Sequence, residues 1–330
     1  MHIKLNLLLR GGVIAALIGT AACSDAQPET PFAASAAAAA ANELEAIPSV
    51  NLRLVMDTIT RGMIADSTHE YFRPSSTAMA RFRRAVDSVT AGNVFVADTL
   101  LDPYFYDVYR VRESGTGDTL VIFRERLAAN DTVRYGWGTY IFNPRAQQRV
   151  DVHVNHPISD QNTEDIGIEL YRDGRYRWFL VAGAERDANP QFMEADVAHT
   201  TSTVFQAVST ELRAANVRAI SIHGFNIDGH PGLPSGADHV ISNGTGQGYP
   251  AAFADLRTRL GNAGFTAGQF GVTAGYDELG GTTNVQGMSW RNVAQNAWMH
   301  LEIERNVRLD AASWRSMSTV LRAWFAAHPL

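Results

Sequence analysis

From residue 150 to residue 327 the chain alternates between short β-type runs and amphipathic segments, and this alternation restricts the fold more than any other feature of the sequence. Runs at 150–154, 176–183, 217–223, 269–274 and 298–304 are rich in β-branched, aromatic and other apolar residues. The intervening and following stretches at 163–172, 200–215, 250–263 and 311–327 read as helices. In 200–215, Phe205, Val208 and Leu212 form the apolar stripe. Parallel strands need a crossover of about a dozen residues, usually a helix, so the pattern predicts a largely parallel sheet covered by helices.

The chain before residue 150 follows a different rule. Leu52, Leu54, Val55, Ile59 and Met63 lie close to a 3.6-residue period, and a second helical candidate, STAMARFRRAVDSVTA, ends before Gly92. NVFVADTLLD, FYDVYRVRES, DTLVIFRERL, RYGWGTYIFN and QRVDVHVNHP then read as strands, with a turn in RESGTGDTL. The expectation is a single α/β domain over 49–330. Its mixed, mostly parallel sheet has helices on both faces and antiparallel hairpins in the N-terminal third. Residues 49–149 hold the helices and hairpins, and 150–330 hold the motif-bearing part. The stretch 225–249, rich in Gly, Pro and Asn, reads as a loop at a strand end, where sites are built.

A composition of 45% hydrophobic and 19% charged residues is enough for one large core and too polar for a multi-pass membrane protein. The net charge of −6, without a basic run, argues against nucleic acid as a partner. Residues 1–22 read as an export signal: Lys4 and Arg10, an apolar run over 13–18, then small residues. Cys23 follows Thr20-Ala21-Ala22 and is the single cysteine, so the start resembles a lipoprotein signal with Cys23 as the lipidated residue. The alternative is a plain secretory signal. Residues 23–48, with Pro, Ser and an Ala run, read as a flexible tether. The expected location is therefore the periplasmic or cell-surface side of a membrane, held by the lipid anchor alone, and the lone cysteine precludes an intrachain disulfide.

Polar residues stand where the predicted strands end. His156 and Asp160 follow the strand at 150–154, His223 closes the strand at 217–223, and Glu302 sits in MHLEIE. In open α/β sheets ligands bind beyond the carboxyl ends of strands. Two imidazoles and a carboxylate are a usual protein ligand set for catalytic zinc, and a further carboxylate suits a general base. Each residue also has a plain alternative. Asp160, or equally Thr163, caps the following helix. His223 bonds to backbone. Glu302 lies on a solvent face with His300 and Glu304. The NGTGQGYP stretch lacks the phosphate-loop lysine, no GxSxG motif is present, and Cys23 lies at the anchor.

Four segments in order resemble the zinc-dependent poly-γ-glutamate hydrolases, which share the zinc-carboxypeptidase type of fold. A motif like HGGxIExxTxEIA corresponds to His156-Pro-Ile-Ser-Asp160-Gln-Asn-Thr163-Glu-Asp165-Ile-Gly167. LHxTSxxF corresponds to Ala198-His199-Thr-Thr201-Ser202-Thr-Val-Phe205, and a strand ending in HG corresponds to His223-Gly224. QLELSRxLR corresponds to His300-Leu301-Glu302-Ile303-Glu304-Arg305-Asn306-Val307-Arg308, preceded by Thr283-Asn284. The first segment departs from the pattern. It has Asp for Glu, one residue fewer between histidine and carboxylate, and Pro157-Ile158 in place of the glycine pair.

The resemblance implies Zn2+ held by His156, Asp160 and His223, with Glu164 as rival carboxylate. It implies Glu302 as general base and then acid. His199, Ser202 and Asn284 would contact substrate. Arg308, with Arg291 and Arg305 as further candidates, would pair a substrate carboxylate. The expected function is zinc-dependent hydrolysis of an amide or peptide bond in a small or peptide-like substrate bearing carboxylates, such as γ-glutamyl or cell-wall peptides. The alternatives are a non-catalytic binding lipoprotein on a hydrolase scaffold and a zinc deacylase of a small N-acyl amino acid.

Overall fold

The computed structural model describes residues 47–330 apart from 192 and 295. The expected signal over 1–22, Cys23, and all but the last two residues of the 23–48 tether lie outside the described residues. In chain order the strands are β1 (Ser49–Val50), β2 (Tyr106–Glu113), β3 (Thr119–Glu125), β4 (Thr139–Phe142), β5 (Val150–Val154), β6 (Trp178–Val181), β7 (Arg218–Phe225), β8 (His239–Ser242), β9 (Ala267–Gln269) and β10 (Trp298–Glu304). The helices are α1 (Leu52–Arg61), α2 (Ser76–Thr90), α3 (Val94–Leu101), α4 (Thr163–Gly174), α5 (Val204–Glu211), α6 (Ala251–Asn262), α7 (Val285–Arg291), α8 (Arg305–Leu309) and α9 (Ala311–Ala327).

Among the described residues the ten strands join one sheet in the order β1-β2-β3-β4-β6-β5-β7-β10-β8-β9. The block β6-β5-β7-β10 is parallel throughout, as the βαβ alternation requires. The β2-β3-β4 hairpins attach antiparallel to β6, and β8 lies antiparallel to β10. This is a mixed α/β sheet with helices on both faces.

Period-2 alternation divides each central strand between two cores. Val152, Val154, Ile220, Ile222, Leu301 and Ile303 point to the face covered by α1, α4, α6 and α9. Leu180, Ala219 and Trp298 point to the other, under α2, α3 and α5. Because both faces are covered, every residue of β10 is buried, including His300, Glu302 and Glu304. The solvent-face reading of Glu302 therefore fails. Buried ionisable groups cost several kcal/mol unless they are paired or in use, so this face of β10 must give them partners.

Several boundaries differ from the pattern. NVFVADTLLD is the helix α3, not a strand: Val94, Ala97 and Leu101 are its buried residues, at helical spacing, and the local V-F-V run imitates β alternation. The 225–249 stretch is not all loop. His239–Ser242 forms β8, whose register against β10 pairs His300 with Ser242 and Glu302 with Val240. The 269–274 strand shrinks to β9 at Ala267–Gln269, because Thr273 turns the chain back onto Gln269. The 200–215 helix begins only at Val204, where the Thr203 hydroxyl accepts the Gln206 N–H at 3.0 Å. The short helices α7 and α8 carry too few turns for periodicity to reveal them.

Candidate metal centre

His156 lies two residues beyond β5, and His223 lies in β7, the parallel neighbour of β5. The chain after His156 makes a tight turn in which the Asp160 N–H donates to the His156 carbonyl at 2.9 Å. That turn returns the Asp160 carboxylate to the strand ends. Asp160 Oδ2 is 3.4 Å from His156 Nδ1 and 3.3 Å from His223 Nδ1. These three residues, all buried, are the group of His, Asp and Glu side chains among the described residues placed to share a cation. Tetrahedral zinc with ligands at about 2.1 Å needs donor atoms about 3.4 Å apart, and both Asp160 distances match that edge.

Glu164 does not join the group. It lies in the first turn of α4, and burial pushes its carboxyl up to about 7. Asp160 does not cap α4 either. The N-cap is Asn162, at φ 70°, without a side-chain capping bond. Asp160 enters the helix start only through its backbone carbonyl, which accepts the Thr163 N–H.

The far nitrogen of each histidine is committed. His156 Nε2 is 3.0 Å from Asp196 Oδ1. A carboxylate only accepts, so Nε2 carries the hydrogen and Nδ1 is the nitrogen that faces Asp160. Asp196 is held in turn by Arg186 Nη2 at 2.9 Å, His199 Nδ1 at 2.9 Å and the Ala198 N–H at 3.1 Å. His223 Nε2 is 3.0 Å from Ser221 Oγ, and the Ser221 hydroxyl donates to Asn155 Oδ1 at 2.7 Å. With that hydrogen spent, Ser221 accepts from His223 Nε2–H. Asn155 Nδ2 donates to Gln286 Oε1, and Gln286 Nε2 donates to Gln206 Oε1 and the Val197 carbonyl. A buried amide chain thus fixes the His223 ring through Ser221, as Asp196 fixes the His156 ring.

The two rings differ electrostatically. Burial disfavours the His156 imidazolium, yet Asp160 and Asp196 outweigh it and raise its pKa to about 9. For His223, burial comes first and the nearby His300 and His156 reinforce it, so its pKa falls to about 4 despite Asp160. Burial also works against the Asp160 and Asp196 carboxylates, but their histidine partners hold both below the usual range. The site therefore favours a positive charge between these groups. Among the described residues Asp160 Oδ2 has no conventional hydrogen bond. The donor set, its spacing and its charge all fit a divalent cation, and two nitrogens with one oxygen suit zinc.

Glu302 stands opposite His223 in the β7–β10 register, on the same face of the sheet. Its Oε1 is 3.0 Å from His300 Nε2, and its Oε2 is buried without a hydrogen-bond partner among the described residues. His199 is more than one-third exposed and sits at the rim through Asp196. Ser202 is near the surface beside Arg73. Asn284 caps α7 through Gly287 N–H at 2.8 Å, and its Nδ2 is buried without a hydrogen-bond partner among the described residues. Arg308 is placed differently from a substrate-carboxylate partner. Its buried guanidinium donates to the carbonyls of Ile303 (3.0 Å), Phe225 (3.2 Å) and Gln161. Asp196, Ser221, Asn155 and His300 were not singled out from sequence. The available signals were Asp196 three residues before His199 and His300 two before Glu302 in an alternating strand.

No protein-family model matches this chain, and no curated protein matches it. Solved structures give partial matches. An N-formylglutamate amidohydrolase from Ralstonia eutropha JMP134 is 12% identical with a TM-score of 0.40, over 57% of this chain and 95% of that one. A bacteriophage poly-gamma-glutamate hydrolase is 10% identical with a TM-score of 0.36, over 56% and 86%. An aspartoacylase family protein from Mesorhizobium loti is 11% identical with a TM-score of 0.32, over 66% of each chain. At these values the likeness assigns no residue and no substrate.

Proposed function

We propose that this protein is a zinc-dependent hydrolase of amide bonds in acidic, peptide-like substrates. The observation that carries the reading is the placing of Asp160 Oδ2 3.4 Å from His156 Nδ1 and 3.3 Å from His223 Nδ1, with both remaining imidazole nitrogens already bonded. The chemistry supplied by zinc in such a site is Lewis acidity, which polarises a scissile carbonyl and makes water acidic enough to attack near neutral pH. The chain's residues do the rest. His156, His223 and Asp160 hold the ion, while Asp196 and Ser221 fix the two ring orientations. Glu302 takes the proton from the attacking water at its uncommitted oxygen and returns it to the leaving amine. His199 contacts substrate at the rim, and the buried Nδ2 of Asn284 offers a further donor to it. γ-Glutamyl bonds and cell-wall peptides are the substrate classes that the sequence resemblance favours.

The test combines metal analysis with hydrolysis of poly-γ-glutamate, a γ-glutamyl anilide and N-acyl glutamates. The expected result is about one zinc per chain, turnover of at least one probe, and loss of both in His223→Ala. Metal-free variant protein with wild-type activity would overturn the proposal. We place the protein outside the cytoplasm, anchored through Cys23, on its N-terminal sequence. Palmitate labelling that persists in Cys23→Ser would disprove that anchor.

A further inference from the structure

We infer that His300 is the positioning residue for the general base: it locks one oxygen of Glu302 and leaves the other as the single proton acceptor. The inference rests on the proposed function for the role of Glu302, but the pairing itself stands on geometry. Residues 300 and 302 alternate onto one face of β10, opposite Ser221 and His223 of β7. His300 Nε2 lies 3.0 Å from Glu302 Oε1, and both side chains are buried. An ionised carboxylate has lone pairs only, so the hydrogen is on His300 Nε2.

The imidazole cannot easily turn away. One neighbour is the His223 ring, with centroids 4.5 Å apart and planes 35° apart. Another is the backbone of Gly281, at φ +59°, where a Cβ would come within 2.6 Å of His300 Cγ. Glycine is needed there both for its conformation and for the close approach. The Ser242 hydroxyl donates to the Gly280 carbonyl at 2.6 Å and fastens that segment to β8. A clamped imidazole fixes Oε1 and therefore restricts rotation of the carboxylate. Oε2 is then the oxygen left to accept a proton, and it is buried without a partner among the described residues. A base held in one orientation acts on water without first losing rotational freedom.

Side-chain reach supplies a sharp test. Glutamine carries its Nε2 as many bonds from Cα as His300 Nε2, whereas the Nδ2 of asparagine falls one bond short. On whichever probe the wild type hydrolyses, His300→Ala and His300→Asn should lower kcat about 10- to 100-fold, with KM and zinc content unchanged. His300→Gln should recover to within about threefold of wild type. Equal rates for the Gln and Asn variants, or a wild-type rate for Ala, would overturn the role. A second measurement needs no metal and no substrate. Long-range proton–nitrogen NMR of the metal-free protein should show His300 Nε2 protonated, and a bare Nε2 would overturn the pairing. A wild-type protein that binds no zinc and hydrolyses no probe would refute the proposed function, and the NMR result would still decide the pairing.

Discussion

Arg308 gathers three segments with one side chain: its guanidinium donates to the carbonyls of Gln161 just after Asp160, Phe225 at the end of β7 and Ile303 in β10. Burial lowers its pKa, but nearby Asp160, Glu302 and Glu304 oppose that effect and favour the cation. A lysine has one ammonium and cannot span three carbonyls. Arg308→Lys should therefore destabilise the fold by about 2–4 kcal/mol. Urea unfolding checks this, and a change below about 0.5 kcal/mol would contradict the bracing role. Glu125 gives a pH prediction. Burial pushes its carboxyl up to about 7, although the backbone N–H groups of Tyr135, Gly136 and Trp137 lower it. A folded pKa above the unfolded one means that the folded state binds more protons. The stability from this group is full below about pH 4.3 and is lost as pH rises towards about 7, a change of about 3 kcal/mol. Glu125→Gln should remove that slope from unfolding free energies measured between pH 5 and 7.

At the scale of elements, α4 follows directly on the turn from His156 to Asp160, and Gly167 sets how closely it lies on the sheet. A Cβ at 167 would meet Val154 Cγ2 at 2.5 Å and Phe179 Cε2 at 3.1 Å. Alanine gains about 1 kcal/mol of helix propensity over glycine, whereas overpacking a core contact costs about 1–3 kcal/mol. Gly167→Ala is predicted to destabilise the protein on balance, by about 1 kcal/mol. A higher melting temperature in the variant would show that α4 shifts freely. The chain indicates α4 well, since Ile166, Ile168 and Leu170 supply buried residues and Gly174 stands near its end. It indicates α3 poorly, since V-F-V-A reads as a strand until packing selects Val94, Ala97 and Leu101.

For the whole molecule, the candidate ligands His156, His223 and Asp160 come from beyond the end of β5, from β7 and from the turn before α4, so a cation bound as proposed would tie these segments together. A ligand that binds the folded state alone stabilises it by about 2.7 kcal/mol at one hundred times its dissociation constant. Zinc should therefore raise the melting temperature of the wild type, and chelation should reverse the rise. His223→Ala should abolish this dependence on zinc, and scanning calorimetry with and without chelator decides it. A zinc-induced rise that survives in that variant would place the cation elsewhere.

The sequence by itself determined the βαβ alternation and the helix at 311–327, because these depend on local periodicity, and it offered His156, Asp160, His223 and Glu302 as candidates at or near strand ends. It left Asp160 and Glu164 as rivals, since side-chain reach across a turn depends on backbone closure. Tertiary structure places the Asp160 carboxylate, and not that of Glu164, 3.3–3.4 Å from the two imidazoles, in a turn braced by Arg308. It also decided that β8 covers the edge of β10 and that Glu302 is buried. The far partners of the histidines, Asp196 and Ser221–Asn155, come from segments up to 66 residues apart. Local pattern does not specify such contacts. They follow from strand register and from the requirement that buried polar atoms find hydrogen bonds.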